Sequence, residues 1–196
     1  MRNVKTSLRA ERAEVTRRRI AEAARRLFTA RGYGATTLKA IAHEAGVAVQ
    51  TVYAVYRSKP GILRALRESL VRQPEANALY EASLKEANPG RKIDLFARSI
   101  RNRWEHGHDI VAVHEQAGRT DRTVYKEVEK VLAVRRNGIA RLAQSFGSQV
   151  DGARTTAILD ALTVPDVYTE LVEINGWTPD DYEAWLARTL RQQLLP

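Results

Sequence analysis

A chain of 196 residues, 44% hydrophobic and 28% charged, has room for one ordinary domain or two small ones, each able to bury a core. It contains no cysteine, which excludes a disulfide framework, a thiolate metal site and a cysteine nucleophile. The formal charge of +9 is unevenly placed: residues 1–72 hold 16 Lys and Arg against 5 Asp and Glu, and residues 73–196 hold 16 against 18, so a basic head suited to a polyanion precedes a near-neutral body.

In chain order, residues 1–15 are polar and basic through Arg2, Lys5, Arg9 and Arg12 and offer few apolar anchors. They read as a flexible arm. A helix is expected from about Thr16 to Arg31, with Ile20, Ala23, Ala24, Leu27 and Phe28 on its inner side and Gly32 at its end. A second helix starts at Thr36 or Thr37, where a hydroxyl can satisfy a free N–H group, and runs to Ala45. Leu38, Ile41, Ala42 and Ala45 form its apolar stripe and leave Lys39, His43 and Glu44 outside. Gly46 suits the exit, since glycine adopts positive φ without steric cost. A third helix, Val49 to Tyr56, turns Val52 and Tyr56 inward and leaves Val49, Gln50, Thr51, Tyr53 and Val55 on outer faces. Pro60 is well suited to the first turn of a fourth helix. A basic segment carrying helix, glycine turn and short helix is the layout of a DNA reader. Gln50 is the candidate base reader, because glutamine pairs bidentately with adenine N6 and N7, and Val49 and Val55 can meet thymine methyls.

Beyond Val71 the basic bias disappears and the pattern stays helical. Gln73-Pro74 and Asn88-Pro89-Gly90 bracket a short segment, and Ile93 to Glu105 follows with Phe96, Ala97, Ile100 and Trp104 on one side. Asp109 to Gln116 is a short helix, and Gly118-Arg119-Thr120-Asp121 separates it from a long one reaching about Ser145. Segments Gly152 to Thr163, Pro165 to Ile174 and Thr178 to about Gln193 complete the chain. No strand alternation or repeat competes, so the expected fold is all-α. The expected divisions are 1–15 arm, 16–59 helix-turn-helix domain, 60–73 connecting helix and 74–196 helical body.

Enzyme readings find no support: there is no glycine-rich phosphate loop, no G-x-S-x-G elbow and no nucleophile, base and orienter set, so neither enzyme nor cofactor is expected. His106, His108 and His114 lack the three- or four-residue spacing of helical ligand pairs, and no metal is expected. No apolar run is long enough to span a membrane and no hydrophobic signal core follows the N-terminal arginines, so the chain is expected in the cytoplasm with no membrane partner.

Ala24-Arg25-Arg26-Leu27-Phe28, Gly32-Tyr33, Thr36-Thr37, Ile41-Ala42, Ala45-Gly46-Val47, Val52-Tyr53, Tyr56, Lys59 and Ile62-Leu63 together resemble the DNA-binding domain of the tetracycline-repressor (TetR) family. Two positions depart from the family pattern: Ala48 replaces the usual capping serine or threonine, and Pro60 replaces an acidic residue. The resemblance implies that Thr37, Thr51, Tyr53 and Lys59 touch phosphates, with Thr36 and Lys39 completing the set facing double-stranded DNA. It also implies a homodimer paired through residues 152–174, where Ile158, Leu162, Val167, Leu171 and Val172 supply apolar contacts. A small-molecule pocket is implied in the body, with Phe96, Ile100, Trp104, His108, Val113, His114 and Tyr125 as candidates. The implied function is a repressor released from a palindromic operator by a small molecule; the alternative is a DNA-binding protein without ligand response.

Overall fold

The structure is a computed structural model that describes residues 2–147 and 151–195, with side chains described from residue 9 onward. Eleven α-helices account for the described regular structure together with one π-helical turn, and there is no strand among the described residues. They are α1 (Arg2–Arg31), α2 (Leu38–Ala45), α3 (Val49–Tyr56), α4 (Lys59–Val71), α5 (Pro74–Lys85), α6 (Pro89–Glu105), α7 (His108–Gly118), α8 (Arg122–Gln144), α9 (Gly152–Leu162), α10 (Pro165–Tyr168) and α11 (Pro179–Leu194). A π-helical segment, Thr169–Ile174, continues α10.

The chain divides into two compact units, residues 1–69 with 113–126 and residues 70–112 with 127–196. The expected boundaries placed 113–126 in the body. The structure gives that segment to the first unit, where Val113, Ala117 and Val124 are buried. Helical periodicity identifies an inward face but not which core receives it.

In the first unit, α1 buries Ile20, Ala23, Ala24, Leu27 and Phe28 at the spacing read from the sequence. The helix begins at Arg2 rather than near Thr16, so the segment expected as an arm is helical. Residues 2–15 contain neither glycine nor proline, and extending a helix from a docked nucleus is far cheaper than starting one. The side chains of Arg2 and Lys5 lie outside the described residues, whereas Arg9 and Arg12 are exposed. Gly32, with φ +81°, ends the helix, and Tyr33 folds back so that its ring centre lies 5.2 Å from that of Phe28.

Helices α2 and α3 have eight residues each, too short to persist in water without docking. Ile41 and Val52 are fully buried, each contributing roughly 1.5–3 kcal/mol through burial. Polar ties fix the register: Arg19 Nη2 donates to Ala45 O (2.8 Å), Tyr56 Oη donates to Arg17 O (2.9 Å), and Arg26 pairs with Glu44 at 3.0 Å. Gly46 takes φ +63° at the corner. A Cβ there would meet only the mobile end of Arg19, Nη2 at 2.9 Å, so the positive φ is what calls for glycine.

In the second unit, α6 packs between α5 and α11. Its inward residues Ile93, Phe96, Ala97, Ile100 and Trp104 share a core with Leu159, Tyr168, Tyr182, Leu186 and Leu190. Pro179 opens α11 behind a capping box in which Thr178 and Asp181 satisfy each other's backbone N–H groups. Residues 165–174, expected as one α-helix, change to π geometry at Thr169, with Asn175 N donating to Glu170 O at 3.0 Å. Six residues are too few for apolar periodicity to separate an i→i+4 turn from an i→i+5 turn.

Candidate nucleic-acid interface

Thr37 caps α2: its Oγ1 accepts from Ala40 N at 3.1 Å while the residue itself stays exposed. The corner then sends α3 away with Val52 and Tyr56 facing α1 and α2. Its opposite face carries Gln50, Tyr53, Ala54 and the following Arg57, all exposed, with Tyr53 retaining 53% of its accessible surface. Ala48 makes no side-chain capping bond, and while Thr51 N donates to Ala48 O at 2.9 Å, the N–H groups of Val49 and Gln50 receive no side-chain cap from it. A free helix N-terminus beside exposed amide and phenol groups is chemically suited to phosphates and base edges.

The nine residues expected at DNA do not all reach this surface. Thr37, Lys39, Gln50 and Tyr53 are exposed, and Val49, Thr51, Val55 and Lys59 are half-buried. Thr36 is buried, and its hydroxyl lies 2.9 Å from Gly32 O and 3.2 Å from Leu27 O, so it ties the end of α1 to the next loop instead of facing DNA. Lys59 is likewise turned to the protein: Nζ donates to Tyr33 O (2.7 Å) and Thr36 O (3.0 Å), approaches Gly34 O (3.4 Å), and sits 4.3 Å above the Tyr33 ring centre. An ammonium has three donors and no acceptor, and all three are directed to carbonyls here. Burial pulls the lysine below its ordinary proton affinity, while the carboxylate of Asp121 acts in the opposite direction. Residue spacing gave the face of these groups but not the carbonyls waiting for them.

Arg57 is an exposed cation on this face that residue spacing does not single out. It ends α3 with φ +64°, the one non-glycine residue in the described chain with positive φ, and remains exposed. A side chain in this backbone region costs on the order of 1–3 kcal/mol. Its position beside Gln50 and Tyr53 was the available signal.

The seven pocket candidates divide between the units. Phe96, Ile100 and Trp104 are packed into the second core, and Trp104 Nε1 donates to Thr163 O at 3.1 Å. His108 Nδ1 donates to Trp104 O (2.8 Å), and its ring centre lies 5.3 Å from that of Tyr168, the two rings tilted by 38°. Val113, His114 and Tyr125 belong to the first unit, the first two buried and Tyr125 half exposed. An apolar stripe on α6 looks the same whether it lines a pocket or fills a core, and here it fills one. A groove in the second unit has a different character, lined by Asp94, Asp180, Glu183, Ala184, Ala187 and Arg191. Burial holds the Glu183 carboxyl above its ordinary range there, against the neighbouring Arg98 and Arg101.

The candidate dimer residues Ile158, Leu162, Val167, Leu171 and Val172 are all partly buried and pack against the second core with one side.

The geometry of α1 to α3 is that of a helix-turn-helix unit. Residues 20–66 match the family model described as bacterial regulatory proteins, tetR family. The fold extends over nearly the whole chain. NalD, the secondary repressor of the MexAB-OprM multidrug efflux pump in Pseudomonas aeruginosa, is similar at TM-score 0.72 and 22% identity, covering 94% of this chain and 98% of its own. The fatty acid degradation regulator FadR from Bacillus halodurans gives 0.71 and 15%, covering 89% and 94%. FadR from Bacillus subtilis, solved with stearoyl-CoA, gives 0.68 and 16%, covering 88% and 96%. A comparison with curated proteins finds no match.

Proposed function

We infer that the chain is a homodimeric, cytoplasmic transcription repressor that places α3 of each subunit in a major groove of a palindromic operator and is released by a small molecule. The observation carrying this reading is the exposed Gln50, Tyr53 and Arg57 face on a short helix tied to α1 through Tyr56 Oη and Arg17 O, beside an α2 held to α1 by Arg19 and Arg26. The basic bias of residues 1–72 supplies the attraction for phosphate, and the base-edge contacts supply discrimination. Two-fold symmetry of the protein is then mirrored in the operator, with half-sites about one helical turn or a multiple of it apart.

Ligand response is supported by likeness to regulators such as Bacillus subtilis FadR, crystallised with stearoyl-CoA. A ligand would act by favouring a conformation with lower DNA affinity, and its effect cannot exceed its differential affinity for the two states. The test is selection of duplexes from a random library by the purified full chain, followed by sequencing. An inverted repeat recovered over successive rounds is the expected result; no enrichment over the starting library refutes the reading. Stearoyl-CoA added to the complex with the selected duplex is a first probe of release.

A further inference from the structure

Residues 113–126 lie in the middle of the chain, yet they are part of the unit that contains α1 to α3. Their point of attachment is the loop before α2. Tyr33 N donates to Gln116 Oε1 at 3.2 Å. The same carboxamide lies over Gly32, where a Cβ would stand 3.2 Å from Gln116 Nε2 and 3.3 Å from Oε1. From Tyr33 the connections continue: Lys59 holds Tyr33 O and Thr36 O, and the next residue, Thr37, is the cap of α2.

We propose that Gln116 is a positioning residue for DNA binding, which holds the 32–36 loop, and with it the capped start of α2, in the geometry that engages the duplex. This rests on the DNA-binding reading above. Three observations converge on the loop. Gly32 has positive φ and the Gln116 carboxamide directly above it. The Tyr33 amide has Gln116 as its acceptor. The loop carbonyls have Lys59 as their donor.

The experiment uses the full chain and the duplex recovered by random-library selection. Gln116→Ala removes the acceptor of the Tyr33 amide, and Gln116→Glu restores an oxygen at that place. Binding is followed by titration, and amide exchange is followed at Tyr33 and Thr36. Gln116→Ala is expected to weaken binding about fivefold, the net effect of one hydrogen bond, and to accelerate exchange at Tyr33. Gln116→Glu is expected to return both close to the wild-type values. Unchanged affinity with faster Tyr33 exchange overturns the positioning role, and so does lost affinity that Glu fails to restore. If the wild-type chain selects no duplex, the DNA-binding reading itself fails and this inference falls with it. A wild type that binds beside a Gln116→Ala variant with equal affinity defeats the inference alone.

Discussion

Gln50 stands exposed on the outward face of α3, and the amide is a matched pair of donor and acceptor for adenine. Gln50→Ala is expected to cost roughly 1–3 kcal/mol at one base position of each half-site. Repeating duplex selection with the variant checks this, and an unchanged consensus at equal stringency removes Gln50 from the reading face. Its exposure was legible in the sequence, because Val52 and Tyr56 fix the inner face of so short a helix. Thr36 and Lys59 were not legible in that sense. A hydroxyl and an ammonium near a helix start suit a phosphate and a carbonyl equally well, and only the fold brings Gly32, Tyr33 and Thr36 carbonyls within their reach. The consequence is a specific expectation for Lys59→Ala. It should destabilise the first unit by about 1–2 kcal/mol, the scale of charged hydrogen bonds discounted for partial exposure. It should also weaken DNA binding without altering the dependence of log K on log salt. Denaturant titration and a salt series measure both; a slope smaller by about 0.9 would place the ammonium on a phosphate instead.

Among the elements, α2, α3 and α11 were readable because each carries both a stripe and a local stop or start signal. Thr37 and Gly46 bound α2, Tyr56 closes α3, and Thr178 with Asp181 opens α11. Where such signals are missing the reading drifted: α1 has no stop before Arg2, and the π turn at Thr169 leaves no trace in residue spacing. The α11 cap gives an expectation that depends on pH. The Thr178 hydroxyl, and then its backbone N–H, hold the Asp181 carboxyl below its ordinary value of 3.8. A carboxyl depressed in the folded state stabilises fully above its unfolded value and loses that contribution as pH falls through the folded one. Thermal unfolding of the wild type and Asp181→Asn should therefore differ at neutral pH and converge in strong acid. Thr178→Ala should lower stability at neutral pH by about 1 kcal/mol. A gap between wild type and Asp181→Asn that persists unchanged in strong acid would show that the carboxylate is not the source of the difference.

At the scale of the whole molecule, the division of the chain into a basic head and a near-neutral body was visible in the charge distribution, but membership of residues 113–126 was not. Their apolar residues have the spacing of any amphipathic helix, and the partner core is a matter of long-range contact. Assembly raises the same question for Ile158, Leu162, Val167, Leu171 and Val172, which keep one side on the second core and leave the rest of their surface uncovered. A second copy of the chain is the proposed cover, since two joined heads on a palindrome gain an effective concentration that one head lacks. Leu162 and Leu171 are the positions to change, because each is partly exposed and a buried unpaired charge is costly. Replacing both with Glu is expected to give a monomer with wild-type helical content and weaker operator binding by about a hundredfold, the lower end of what linked sites gain. Sedimentation, circular dichroism and a binding titration on one preparation test the three parts together. Loss of helical content would mean that these residues serve the core of their own subunit, and a folded dimer would move the interface elsewhere. A folded monomer with undiminished affinity would break the link between pairing and DNA recognition.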